Sequence, residues 1–339
     1  GLILGPVVGV VGLTGAIVVF RYELNRLTTP GTGYVEPQQQ RLTIDELLAR
    51  VQAARPDDRI SEVSFGAEAG RDVAWNVRST SPEGHRIHTF INQYTGEITG
   101  RDDYHRKWMQ WFYDLHAYLL GGPTGEFING FVGLATVVLS VTGLVIWWPG
   151  AGHWLFGFRY LWGAGWKRQN YDLHKLVGFY ASLALAFVSM TGAYFAFPSL
   201  YQRVTARVTG TPVIVGAPHA TTSLAARRTA LEEFITAAER AQPGTYAVSM
   251  SLPQTAGLPI TVRTKEPRDW HRIGLNYVYL EPADARIVRN DRFSQATVAT
   301  QAILLAYPLH FGRFGGRWGS PWMFYGVMVL YMIVGVAPF

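Results

Sequence analysis

Three histidines each follow a leucine at the mouth of an apolar run: His116 in YDLHAYLLGG (Tyr113–Gly122), His174 in YDLHKLVGFY (Tyr171–Tyr180) and His310 in AYPLHFGRFGG (Ala306–Gly316). A neutral imidazole can ligate a metal or porphyrin iron, exchange a proton near pH 7, or sit as an amphipathic side chain between oil and water. A single histidine in such a place is most often the last of these. Recurrence in related strings is what argues for ligation. Two imidazoles from different helices can clamp a haem without any covalent link. The chain has no cysteine, which removes disulfides, thiolate metal sites, iron–sulfur clusters and covalent C-x-x-C-H haem attachment.

The elements that must position these histidines are long and apolar. Of 339 residues, 48% are hydrophobic, and they bunch into the runs Gly1–Phe20, Phe127–Trp148, Leu176–Phe197 and Trp322–Phe339. Each is near the roughly 20 residues that a helix needs to cross a bilayer. The expected fold class is therefore membrane α-helical, a four-helix transmembrane bundle, with the lipid bilayer as an obligatory partner. The first run has no initiator Met, basic flank or cleavage site, so it reads as a truncated anchor and not a signal peptide. The net charge of +6 is spread along the chain with no Lys/Arg block, which excludes nucleic acid. No G-x-S-x-G, H-E-x-x-H or phosphate-loop string is present, and nothing suggests a nicotinamide or flavin site.

The chain divides into helix 1 at 1–20, an outer domain at 21–103, an interfacial helix and histidine segment at 104–125, and helix 2 at 126–148. An inner loop at 149–172, helix 3 at 173–197, a second outer domain at 198–305, a histidine segment at 306–320 and helix 4 at 321–339 follow. Arg159, Lys167, Arg168 and Lys175 against Asp172 place the short connection in the cytoplasm by the positive-inside rule, and both outer domains in a bacterial periplasm. The outer domains repeat one another. LTIDELLARVQAA, VAWNVRS and HRIHTFINQYTGEITGRDD answer to RRTALEEFITAAERA, PITVRTK and LNYVYLEPADARIVRNDRF, each predicting helix, strand and strand–turn–strand.

The membrane segments repeat as well. MTGAYF (Met190–Phe195) laid over LTGAIV (Leu13–Val18) sets Gly192 on Gly15 and Gly178 on Gly1, and the histidine strings set His310 on His116. The chain reads as an internal duplication. His174 lies four residues before Gly178, so its counterpart is expected four residues upstream of Gly1. Pairing by side joins His116 to His310 outside and His174 to the upstream histidine inside, which would hold two b-type haems and let electrons cross the membrane. His105 is the reserve ligand outside and His153 the reserve partner of His174.

Arg313 and Arg317 beside His310, and Lys175 beside His174, are candidates for haem propionates, or for snorkelling to headgroups. The stripes Gly1, Gly5, Gly9, Gly12 and Gly178, Ser182, Ala186, Ser189 suit a flat macrocycle or close helix packing equally. Trp75, Trp108, Trp270, Tyr104 and Arg101 could meet a substrate or merely pack.

INQYTGEITG, VYLEPADARIV, LTGAIVVFRYEL, SVTGLVIWWPG, DLHK and LHFGRFGG, spread over essentially the whole chain, resemble the PepSY-associated transmembrane family of bacterial iron uptake. That family includes inner-membrane ferric-siderophore reductases. The resemblance implies two α+β PepSY-like periplasmic domains and a haem-dependent oxidoreductase, with His116, His174 and His310 as iron ligands. It also implies ferric siderophore as substrate, Fe(II) as the product released, and an unidentified cytoplasmic or membrane electron donor. In that family a His-Arg pair typically precedes the first helix, in agreement with the upstream histidine inferred from the duplication. PADAR departs from the family's turn, where a Thr-Gly pair is expected. A membrane-anchored peptide-binding or peptidase-regulating protein, or a siderophore or haem permease, is the alternative.

Overall fold

The computed structural model describes residues 4–20, 24, 33–66, 71–103, 108–269, 271 and 274–312. In chain order the elements are α1 (Leu4–Val19), α2 (Ile44–Ala54), β1 (Arg59–Ser64), β2 (Trp75–Thr80), β3 (Arg86–Ile91), β4 (Ile98–Asp103), α3 (Trp108–Tyr118) and α4 (Gly122–Trp147). They continue with α5 (Trp166–Ala196), α6 (Pro198–Thr209), α7 (Leu231–Ala241), β5 (Tyr246–Ser251), β6 (Ile260–Lys265), β7 (Asn276–Leu280), β8 (Ile287–Asp291) and α8 (Val298–His310). Two compact units result, one helical (Gly1–Tyr22, Trp108–Gly210, Ala302–Phe339) and one built on a sheet (Glu23–Lys107, Thr211–Gln301).

In the helical unit, α4 with 26 residues and α5 with 31 are long and apolar enough to cross a membrane. They pack antiparallel through small residues: a Cβ on Gly130 would fall 2.5 Å from that of Ala196, and one on Gly133 3.1 Å from the Ser189 carbonyl. At the other end Trp147 lies 4.1 Å from Phe179, ring centre to ring centre. Among the described residues only these two helices meet the length test. α1 has 16 residues, about 24 Å of helix, and falls short of the roughly 30 Å hydrocarbon core. The expected helix at 321–339 lies outside the described residues. Among the described residues the expected four-helix transmembrane bundle is therefore corrected to two helices long and apolar enough to span, with the shorter α1, α3 and α8 packed against them. The connection between α4 and α5 is held by Asp172, fully buried, which accepts from Arg168 Nε at 3.1 Å and the Leu161 N–H at 3.2 Å.

The sheet unit corrects a second expectation. Two separate outer domains were expected, but the described strands form one eight-stranded antiparallel sheet in the order β4-β3-β2-β1-β5-β6-β7-β8. The seam is β1 against β5, with Val63 opposite Met250. α2 and α7 lie on one face and share one core, in which Leu47, Val51, Phe234, Ala238, Val77, Val262 and Val278 are buried together. The helices also exchange caps. Asp45 of α2 accepts from the Leu231 N–H at the start of α7 at 2.9 Å, and Glu232 of α7 accepts from the Ile44 N–H at the start of α2. Each half is thus the lid of the other's helix terminus.

The PADAR segment forms the turn that its departure put in doubt. Ala285 takes φ +59°, the left-handed position that Gly96 takes at φ +73° in the first half. The N–H of Ala285 returns to the Glu281 carbonyl at 3.1 Å, as that of Gly96 does to Asn92 at 2.8 Å. The Glu281 carboxylate is buried and accepts from Thr221 N and Oγ1 at 2.9 and 3.0 Å and from Thr222 N and Oγ1 at 3.1 and 2.8 Å. Burial pushes this carboxyl up, but the four donors outweigh it and hold it below the usual glutamate range. A folded-state pKa below the unfolded one stabilises above the ordinary carboxylate range and loses that contribution as pH falls through the folded value. Glu281→Gln is expected to cost about 2 kcal/mol near neutral pH and to flatten the acid limb of stability, measured as unfolding midpoint against pH.

Candidate functional site

His116 sits in the last turn of α3, and the chain around it explains why that turn is fixed. α3 stops because Leu119 and Leu120 take φ +47° and +59°, with the Leu120 N–H returning to the Asp114 carbonyl at 3.2 Å. Non-glycine residues in this region are strained and persist only where surroundings dictate them. Gly125, in the first turn of α4, passes so close that a Cβ would lie 1.6 Å from the Tyr118 carbonyl oxygen. One turn further, Asn129 donates to the carbonyls of His116 at 2.7 Å and Ala117 at 3.3 Å. The end of α3 is clamped to α4 by a missing side chain and an amide.

The ring of His116 then reaches α1, where its Nδ1 lies 2.8 Å from the Val11 carbonyl oxygen. His310, the last residue of α8, does the same on α5: its Nδ1 lies 3.2 Å from the Val188 carbonyl and 3.2 Å from Thr191 Oγ1. A carbonyl only accepts, so Nδ1 carries the proton in each ring and Nε2 carries the lone pair. Val11 and Val188 are equivalent under the duplication that sets Gly15 on Gly192, and so are Thr14 and Thr191. Thr14 and Thr191 hydroxyls each bond back to those same carbonyls, at 3.1 and 3.0 Å. The glycines are the seats of the rings. A Cβ on Gly15 would meet His116 Cε1 at 2.6 Å, and one on Gly192 would meet His310 Cε1 at 2.9 Å.

The two imidazoles come together with ring centres 6.1 Å apart and planes tilted by 33°. They face a cavity of about 430 Å³ whose walls include Gly12, Gly15, Gly133, Ser189, Gly192 and Ala193. Gly12 and Ser189 belong to the two small-residue stripes. Phe195 meets the His310 ring edge-on at 5.4 Å. Burial pushes both imidazoles toward the neutral form, and for His310 the neighbouring His116 acts in the same direction. Neutral imidazole is the ligating form.

Backbone carbonyls that take the far ring N–H of a histidine are the usual second shell of a metal ligand, since they set both tautomer and orientation. Two imidazoles sharing one metal through bonds of about 2 Å have ring centres about 6 Å apart. Among the described residues no group of three or more His, Cys, Asp or Glu could hold a bare ion. The two rings line one cavity, and a pair of neutral imidazoles suits an iron that brings further ligands of its own, as haem does.

The remaining candidates fall elsewhere. His174 is exposed near the start of α5, about 26 Å along the helix axis from Thr191. His153 stands exposed in the 3-10 turn Ala151–Phe158, its ring 5.7 Å from that of Phe156. Lys175 is committed to the connection between α4 and α5, 3.7 Å from Asp172 and 3.3 Å from the Phe156 carbonyl oxygen. Arg313, Arg317, His105, Tyr104 and Trp270 lie outside the described residues. Trp75 is 4% exposed in the sheet core and is a packing residue. Sequence reasoning missed Asn129, Gly125 and the two valine carbonyls; only the recurrence of Thr-Gly in LTGAIV and MTGAYF marked the seats.

No curated protein matches the chain. The model of the PepSY-associated TM region matches residues 1–337, nearly the whole sequence. The chain therefore belongs to the PepSY-associated transmembrane family.

Proposed function

We propose that this membrane protein is a haem-dependent oxidoreductase of the bacterial inner membrane in which His116 and His310 would hold one b-type haem. Its substrate on this reading is a periplasmic ferric siderophore, reduced so that Fe(II) is released. The observation that carries the reading is the imidazole pair: equivalent residues of a duplicated chain, 6.1 Å apart, each with Nδ1 on a backbone carbonyl. When bound, haem supplies one-electron exchange between its ferric and ferrous states. The protein's own residues do the rest. The carbonyls of Val11 and Val188 aim the rings, and Gly15 and Gly192 make room for them. Reduction serves as a release step because hard oxygen chelators hold Fe(III) far better than Fe(II). A second haem is proposed at His174, on the cytoplasmic side and near an electron donor, with its other ligand the histidine expected upstream.

Anaerobic mixing of the pre-reduced protein in nanodiscs with a ferric hydroxamate or catecholate chelate tests the activity. The reduced haem bands are expected to decay in step with Fe(II) captured by a ferrous-specific dye. Reduced bands that persist in the presence of the chelate, with no Fe(II) captured, contradict it.

A further inference from the structure

α6 is polarised the wrong way round for a helix in water. α5 ends at Phe197, whose φ of −127° and ψ of 51° break the helix, and Pro198 starts α6 at once in a new helix. Beyond Pro198 and Ser199 in its first turn, the residues α6 exposes are Leu200, Val204 and Val208, at 42, 52 and 81% exposure, together with Arg203 and Arg207. Those it turns inward, all half-buried, are Tyr201, Gln202, Thr205, Ala206 and Thr209. A surface helix in water buries its aliphatic stripe and exposes its amides and hydroxyls. Here valines face out while glutamine and threonines face in.

We propose that α6 lies at headgroup level in the bilayer that α5 crosses, with Leu200, Val204 and Val208 in the acyl boundary and Arg203 and Arg207 on lipid phosphates. Spacing of four residues places the three aliphatic side chains in one stripe and the two guanidiniums in the stripe beside it. Near the end of α5, Met190 is also exposed, at 46%. PSLYQRVTARVT carries two exposed arginines and no acidic residue, and on this proposal the phosphate of a neighbouring lipid is their complement. A helix so anchored fixes the level at which α5 ends, and with it Val188 and Thr191, one to two turns before that end.

The absence of cysteine makes the test clean. Single substitutions Val204→Cys, Val208→Cys and Thr205→Cys in the full chain each accept one environment-sensitive fluorophore. In phosphatidylcholine–phosphatidylglycerol nanodiscs, labels at Val204 and Val208 are expected to lose most of their emission when the lipids carry a nitroxide high on the acyl chain. Emission is taken relative to the same labelled protein in unmodified lipid, so quenching by any bound pigment cancels. These labels should resist aqueous iodide, and the label at Thr205 should respond less to the nitroxide. Iodide quenching at Val204 and Val208 without nitroxide quenching would put the stripe in water, and quenching by neither would put it under protein; either result overturns the proposal. For the arginines, nitroxide quenching at Val208 should rise with the phosphatidylglycerol fraction in the parent and stay flat in Arg203→Gln/Arg207→Gln. An equal rise in both overturns the phosphate contacts.

Discussion

Replacing His116 by alanine is expected to halve the low-spin haem carried by the purified protein, and replacing His310 is expected to remove the same half. Each imidazole is held by a different helix, His116 through the Val11 carbonyl on α1 and His310 through Val188 on α5. Neither can substitute for the other. The double variant His116→Ala/His310→Ala should therefore lose no more than either single one, because both remove ligands from one iron. His174→Ala is expected to remove the remaining half, so that its combination with either of the others is additive where the first pair is not. Haem extracted per chain, read together with the spectrum of the reduced protein, measures this. Unchanged stoichiometry in both His116→Ala and His310→Ala would refute the pairing.

The second large effect belongs to the sheet unit. Phe234 is fully buried in the core that α2 and α7 share, and Phe234→Ala is expected to cost about 4 kcal/mol through lost burial and the cavity left behind. The loss should not stay in its own half. Val63 and Met250 meet across the seam, Asp45 caps α7, and Arg227 pairs with Asp45 at 2.5 Å. Amide hydrogen exchange is expected to show β2 and β3 losing protection along with β6 and β7. Loss confined to β5–β8 would mean that the halves are independent domains after all.

That joint was not legible in the sequence, for a physical reason. RISEVS and YAVSMS, the strands β1 and β5, are short and carry serines and charge at positions where a two-sided strand would show clean alternation. Each pairs on one side with a near neighbour in sequence, β2 or β6, and on the other with its counterpart across about 190 residues, and local pattern does not encode that second partner. Without them the two repeats read as two small domains. Of the first apolar run, read as a clipped span, the described residues show the 16-residue helix Leu4–Val19. α6 was hidden inside what read as the second outer domain, although Pro198 and the spacing of Leu200, Val204 and Val208 were there to be seen.

What composition and repetition did carry was the histidine pairing across the duplication. Setting Gly192 on Gly15 and His310 on His116 needed only the strings LTGAIV and MTGAYF and the two Leu-His motifs. The reason those glycines recur is visible only in three dimensions, where each is the floor beneath an imidazole. The carbonyls of Val11 and Val188 could not have been foreseen, since every residue has one and only the fold selects which is left facing a ring.

Ligation of haem by His116 and His310 is tested most directly by the visible spectrum of the purified protein after expression with ample haem, recorded oxidised and then reduced. A Soret band, with the broad visible absorption of the oxidised protein resolving on reduction into sharp α and β bands, is the result expected of iron held between two imidazoles. Colourless protein, with its histidines and fold intact, would contradict it.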